Sequence, residues 1–116
     1  MSGSITPRIP VPVAVAPLVT AIQDRMHPCA IWLFGSRARG DARPESDWDL
    51  LVSLPDDADP SLLDPYLGWT LQRETGIRAT VLTTRSSDLA TLWGQPNTIG
   101  FALAREGCRL DFSGPQ

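Results

Sequence analysis

Between Ile31 and Val52 the chain passes from one apolar run to a second through a Gly-Ser turn and a short polar connection. This segment limits the fold more than any other. Ala30 to Phe34 is apolar and stops at Gly35, the pattern of a buried strand. Gly35 to Gly40 reads as a turn leading into a short helix or loop. Asp41 to Ser46 is polar and contains Pro44, the mark of a surface connection. Trp48 to Leu54 reads as the second strand, with Asp47 at its threshold.

The flanking sequence supplies helices to cover that sheet. Pro17 to Met26 reads as a helix with Pro17 in its first turn, and Leu18, Ile22 and Met26 share one face. A second helix carries Leu63, Leu67 and Leu71 and stops at Gly76. It starts at Asp59-Pro60 or at Asp64-Pro65, since both pairs have a cap followed by Pro. Ile77 to Thr83 is rich in β-branched residues and reads as a third strand. Ser86 to Trp93, capped by Ser86 or Ser87, and Asn97 to Glu106, ending at Gly107, read as two further helices. Cys108 to Phe112 reads as a last short strand.

The sequence therefore predicts an α+β domain, a small mixed β-sheet flanked by helices, over residues 17–112. Residues 1–16 carry Pro7, Pro10 and Pro12 and read as a flexible or extended arm, because Pro at this density blocks helix and central strand. Residues 113–116 read as a loose tail. The length of 116 residues suits one domain with a core of its own.

Composition narrows the function classes. A net charge of -3 and a pI near 4.9 argue against direct nucleic-acid binding, which needs a basic footprint. No run is apolar for long enough to cross a membrane, and the N-terminus lacks a signal-peptide pattern, so a cytoplasmic protein is expected. Cys29 and Cys108 are isolated, show no metal spacing, and read as buried small hydrophobes. His27, near a helix end, reads as a surface or dipole-facing residue. Trp32 and Trp48 read as core; Trp69 and Trp93 lie on helices, where packing or a partner surface would use them.

The chemistry concentrates on the Gly-Ser turn and the two aspartates. Residues two apart on a strand share a face, so Asp47 and Asp49 point together while Trp48 points away. Two carboxylates on one face repel and resist desolvation unless a cation sits between them. Hard oxygen ligands of this kind suit Mg²⁺, completed by phosphates and water. Gly35 permits a tight turn and a close backbone approach to a ligand, and Ser36 adds a hydroxyl donor. Arg37 and Arg39 add positive charge beside the turn. A phosphate cradle and a metal-binding pair on adjacent strands together suit a nucleoside triphosphate. Each half occurs often by chance, but the combination arises in roughly one chain in a thousand of this length.

Gly35-Ser36, ten residues, then Asp47-X-Asp49 is similar to the signature of the DNA-polymerase-beta-like nucleotidyltransferase superfamily. The longer string, with Arg37-Ala38-Arg39-Gly40 and Ser46-Asp-Trp-Asp-Leu-Leu-Val52, resembles its small prokaryotic branch. Those are the minimal nucleotidyltransferases, antitoxin partners of HEPN-domain ribonuclease toxins. Ala104-Arg-Glu-Gly-Cys-Arg-Leu110 resembles that branch's C-terminus, and the likeness spans Leu18 to Leu110. The resemblance implies the nucleotidyltransferase fold, Mg²⁺ on Asp47 and Asp49, and a triphosphate on Gly35 and Ser36. It implies transfer of AMP from ATP to a hydroxyl, a tyrosine of a HEPN toxin, with an oligomer as one way to assemble.

One departure bears on activity. The superfamily places a third carboxylate on a neighbouring strand, and here Thr80 falls in that slot. No Asp or Glu occurs between Ile77 and Ser87. Asp41, Glu45, Glu74 and Asp88 are the nearest candidates to substitute, though none has a position that favours it. Two readings follow: an active transferase, and a weakened one that neutralises a toxin mainly by binding it.

Overall fold

In a computed structural model that describes residues 7–111, Ala16–Met26 forms helix α1. Leu18, Ile22 and Met26 are all buried on its inner face. The helix stops where His27 adopts a left-handed conformation, φ 48°, and donates its backbone N–H to Gln23 O at 3.0 Å. Ala30–Phe34 forms β2 and Trp48–Leu54 forms β3, with the bounds expected from their apolar runs. Between them Ser36–Arg39 makes the single turn of helix α2, flanked by Gly35 and Gly40 at positive φ.

Both proposed starts of the next helix are used. Asp59 accepts from Ser61 N and opens a 3-10 turn over Pro60–Leu63, and Asp64 accepts from Tyr66 N and opens α3, Pro65–Thr75. Gly76, φ 71°, ends α3. The third strand, β4, runs Ala79–Arg85, two residues later than Ile77 to Thr83. Its partner decides this: β3 pairs it in parallel from Trp48↔Ala79 to Leu54↔Arg85. Ser86–Leu92 forms α4, Ile99–Glu106 forms α5 and Cys108–Asp111 forms β5. The cap expected from Ser86 or Ser87 comes instead from Asp56, whose carboxylate accepts the Ser87 N–H at 2.9 Å. The Ser86 hydroxyl is engaged with Ser53 Oγ at 2.8 Å and with Leu54 O at 3.0 Å. Asn97 is left-handed, φ 64°, so α5 starts two residues after it.

Part of the Pro-rich arm, expected to be flexible or extended, falls within the described residues and is extended there. Arg8–Pro10 forms β1, parallel to β5, and Val13–Val15 makes a 3-10 turn into α1. Pro is compatible here because β1 is the outermost strand, where a missing N–H faces no partner. Residues 1–6, Phe112 and the tail at 113–116 lie outside the described residues.

The sheet has the order β1-β5-β2-β3-β4 and is mixed. β2 is antiparallel to β3 and β5, while the β1–β5 and β3–β4 pairs are parallel. Alternation along β3 then separates two faces. Leu50, Val52 and Leu54 join Ile31, Leu33 and the buried residues of α1 and α3 in the main core. Leu51 turns the other way and packs with Leu89 and Leu103 of α4 and α5, with Trp32, Phe34 and Trp93 around them. Gly100 makes the α4–α5 approach possible, since a Cβ there would overlap the Leu92 carbonyl. The architecture is the mixed α/β one expected. Among the described residues, no helix is long and apolar enough to cross a membrane.

One side-chain expectation changes: Cys29 is exposed, in the turn before β2, while Cys108 is half-buried and packs against the main core. Trp48 and Trp32 are half-buried and pack, as expected, against the main and the second cluster respectively.

Candidate active site

Asp49 sits one residue into β3, opposite Phe34 of β2 on one side and Thr80 of β4 on the other. By the alternation of β3 it shares its face with Leu51 and with Asp47, which precedes the strand, and not with Trp48. Asp47 is exposed and paired with Arg78 Nε at 3.3 Å. The Asp49 carboxyl is raised above its ordinary pKa, first by burial and then by the negative charge of Asp47. Its hydrogen bond with Thr80 and the charge of Arg39 oppose that rise. The charge of Asp47 thus reaches Asp49, as the Asp-X-Asp spacing leads one to expect.

The turn after β2 brings backbone to the same carboxylate. Gly35 has φ 75°, and a Cβ at this position would overlap Asp49 Oδ2 and lie 3.0 Å from Asp49 Cγ. Only glycine allows this approach, for both reasons. Gly35 O accepts from the N–H groups of Ala38 and Arg39 at 3.0 Å, which closes α2. Ser36 follows directly and is partly exposed.

The two arginines separate. Arg37 turns to the polar connection: its guanidinium donates to Ser46 O at 2.8 Å and Pro44 O at 3.1 Å and stacks 4.4 Å over the Trp48 ring. That arrangement braces the loop carrying Asp47, on the side of the sheet away from Asp49. Arg39 stays with the carboxylates. It bonds Asp41 at 3.2 Å and both oxygens of Glu106 at 3.2 and 3.3 Å, contacts that raise its pKa, the Asp41 bond most.

Glu106 was not singled out in the sequence. Its Oε2 accepts the Gly35 N–H at 2.8 Å, and its charge acts on Asp49. The charged groups that shift Asp49 are Asp47, Arg39 and Glu106; Asp41, Glu45, Glu74 and Asp88 are not among them. Thr80 does lie beside Asp49, at the register position facing it on β4.

Among the described residues, no three His, Cys, Asp or Glu side chains are gathered as a ready cage for a metal. Asp47 and Asp49 fit Mg²⁺ in the manner usual for that ion, which keeps water and substrate phosphates for its other positions. The negative charge of Asp47 beside a half-buried Asp49 is what a cation there would offset.

That charge has a measurable consequence. A carboxylic acid whose folded pKa is raised favours the fold when protonated. The penalty is absent below the ordinary carboxylate range and fully present above the raised value. At neutral pH, Asp49→Asn is expected to stabilise the metal-free protein, since Asn still accepts from Thr80 but carries no charge. Asp49 is only partly buried, so after discounting for solvent screening the gain is below about 1 kcal/mol, or a few degrees in Tm. A thermal melt without divalent metal at pH 7 checks it, and an unchanged or lower Tm contradicts it.

A family model described as polymerase beta, nucleotidyltransferase, matches residues 18–110. No curated protein matches the chain. Among solved structures, the crystal structure of a toxin-antitoxin with AMP-PNP is similar, with a TM-score of 0.54 and 19% sequence identity over 87% of this chain and 73% of that one. At that identity the likeness is one of fold.

Proposed function

Since the chain belongs to the polymerase-beta nucleotidyltransferase family, we propose that it transfers AMP from ATP to a hydroxyl, a tyrosine of a partner HEPN-domain toxin, and so acts as an antitoxin. The observation that carries the reading is the convergence of the Gly35 turn on Asp49, with Asp47 on the same face. The toxin partner is supported by the described toxin-antitoxin neighbour, whose bound AMP-PNP is an ATP analogue. The HEPN class and the tyrosine acceptor rest on the likeness of Arg37-Ala38-Arg39-Gly40 and Ala104 to Leu110 to the minimal branch.

In this reading Asp47 and Asp49 hold Mg²⁺, which would neutralise phosphate charge and favour attack at phosphorus. Asp47 must then exchange its contact with Arg78 for the cation. The backbone at Gly35, the Ser36 hydroxyl and Arg39 bind the phosphates; Arg37 holds the loop that presents Asp47. The acceptor hydroxyl gives up its proton to water as its oxygen bonds to the α-phosphorus, the bond to the bridging oxygen breaks, and pyrophosphate leaves. On β4, next to Asp49, Thr80 and Leu82 are exposed. A partner's tyrosine can approach there.

Thr80 favours a second reading. A hydroxyl hydrogen-bonded to Asp49 supplies neither a third anionic ligand nor a base at neutral pH. The protein would then neutralise a toxin mainly by binding it. Incubation of the chain with a HEPN toxin, Mg²⁺ and ATP labelled at the α-phosphate separates the two. Label on a toxin tyrosine supports transfer, and a stable unlabelled complex supports binding. With neither label nor complex, the antitoxin reading fails.

A further inference from the structure

Glu106 is the last residue of α5, where the helix dipole disfavours a carboxylate. Its side chain is nonetheless only 23% exposed. Gly107 follows and is buried; a Cβ on it would stand 2.7 Å from the Leu103 carbonyl oxygen, so the tight exit from α5 needs glycine. The carboxylate reaches two donors on the far side of the turn, the Gly35 N–H at 2.8 Å and the Arg39 guanidinium at 3.2 Å. A backbone N–H and a guanidinium converging on one anionic group form an anion site, here filled by the protein's own side chain.

We propose that Glu106 is an internal competitor: its carboxylate occupies the Gly35 N–H and Arg39 in the unliganded protein, and a polyphosphate must displace it to bind. The inference rests on the reading of the Gly35 turn as the triphosphate site. Carboxylate and phosphate oxygens use the same charge-assisted bonds, so the two exclude each other at a single N–H. Glu106 also adds negative charge near Asp49. A triphosphate therefore meets both an occupied donor pair and a repelling field until Glu106 swings away toward solvent. A brace has the opposite sign: if Glu106 only holds the turn in shape, removing it weakens binding.

Wild type, Glu106→Gln and Glu106→Ala are titrated by calorimetry with inorganic tripolyphosphate and with ATP, each with and without Mg²⁺. Glu106→Ala is expected to bind both ligands about tenfold more tightly, the factor that corresponds to one competing charge-assisted hydrogen bond at the low end of its range. Glu106→Gln falls between, since its amide oxygen accepts from Gly35 without the charge. Hydrogen exchange at the Gly35 amide gives a second readout, independent of activity. The amide is protected in wild type, exchanges faster in Glu106→Ala, and is protected again by tripolyphosphate. Weaker binding by both variants makes Glu106 a brace and overturns the proposal. Equal binding by all three forms leaves the anion site standing and removes the competitor. Binding by none of them removes the anion site, and the proposal with it.

Discussion

Replacing Asp47 and Asp49 together by Asn is expected to abolish metal-dependent ATP binding. The pair shares one face of β3, and the charge of Asp47 already acts on Asp49. Asn keeps the shape and the Thr80 hydrogen bond at position 49 but removes both anionic ligands. Interactions with charged groups contribute about 1.5–3 kcal/mol each, so losing two should weaken MgATP binding by about a hundredfold or more. Calorimetry with ATP, in the presence and absence of Mg²⁺, measures it directly. Wild type should show a strong dependence on the metal and the double variant none. If the double variant binds MgATP as tightly as wild type, the metal site lies elsewhere. Circular dichroism should show an intact fold, because neither carboxylate belongs to the packed core and the Asp47–Asp49 repulsion is relieved.

Thr80→Asp is expected to increase nucleotide transfer by about 10²- to 10⁴-fold, the range typical of a positioned general base. The register supports the choice of position. Thr80 faces Asp49 across the β3–β4 pairing and is hydrogen-bonded to it, so a carboxylate there would stand beside the existing pair. Without metal the added charge should lower the melting temperature, since three carboxylates would crowd one face, and Mg²⁺ should restore it. Incorporation of labelled AMP into the co-purified partner reports the rate. Vigorous transfer by wild type, unchanged or reduced in Thr80→Asp, would mean that another acid already fills the role. No transfer by either form, together with tight partner binding, would favour the binding antitoxin.

Much of the candidate site is legible in the sequence, because its parts are local. Ala30–Phe34 and Trp48–Leu54 are apolar runs with breakers on both sides, and the structure keeps their bounds. Asp47 and Asp49 share a face through the two-residue repeat of a strand, which needs no tertiary information. Gly35 follows from the end of β2, and the need for glycine is met by φ 75° and by the Asp49 side chain. Thr80 lies inside the strand expected over Ile77 to Thr83, and although β4 starts two residues later its β3 partner still sets Thr80 opposite Asp49.

The remainder depended on contacts between distant parts of the chain. Arg37 and Arg39 are two residues apart and look equivalent, but one stacks on Trp48 and the other meets the carboxylates, because a single helical turn points them different ways. Arg8–Pro10 becomes a strand only because β5 offers it an outer edge. Glu106 reads as an ordinary helix-end residue, and its bond to Gly35 spans 71 positions. The sequence by itself determined the strand pair, the Gly35 turn, the aspartate pair and the absence of a third acid on β4, since each follows from short-range periodicity and backbone preference. The tertiary structure decided which charges surround Asp49 and what fills the Gly35 N–H, since electrostatic and hydrogen-bond partners are chosen by distance in space, which short-range patterns do not encode.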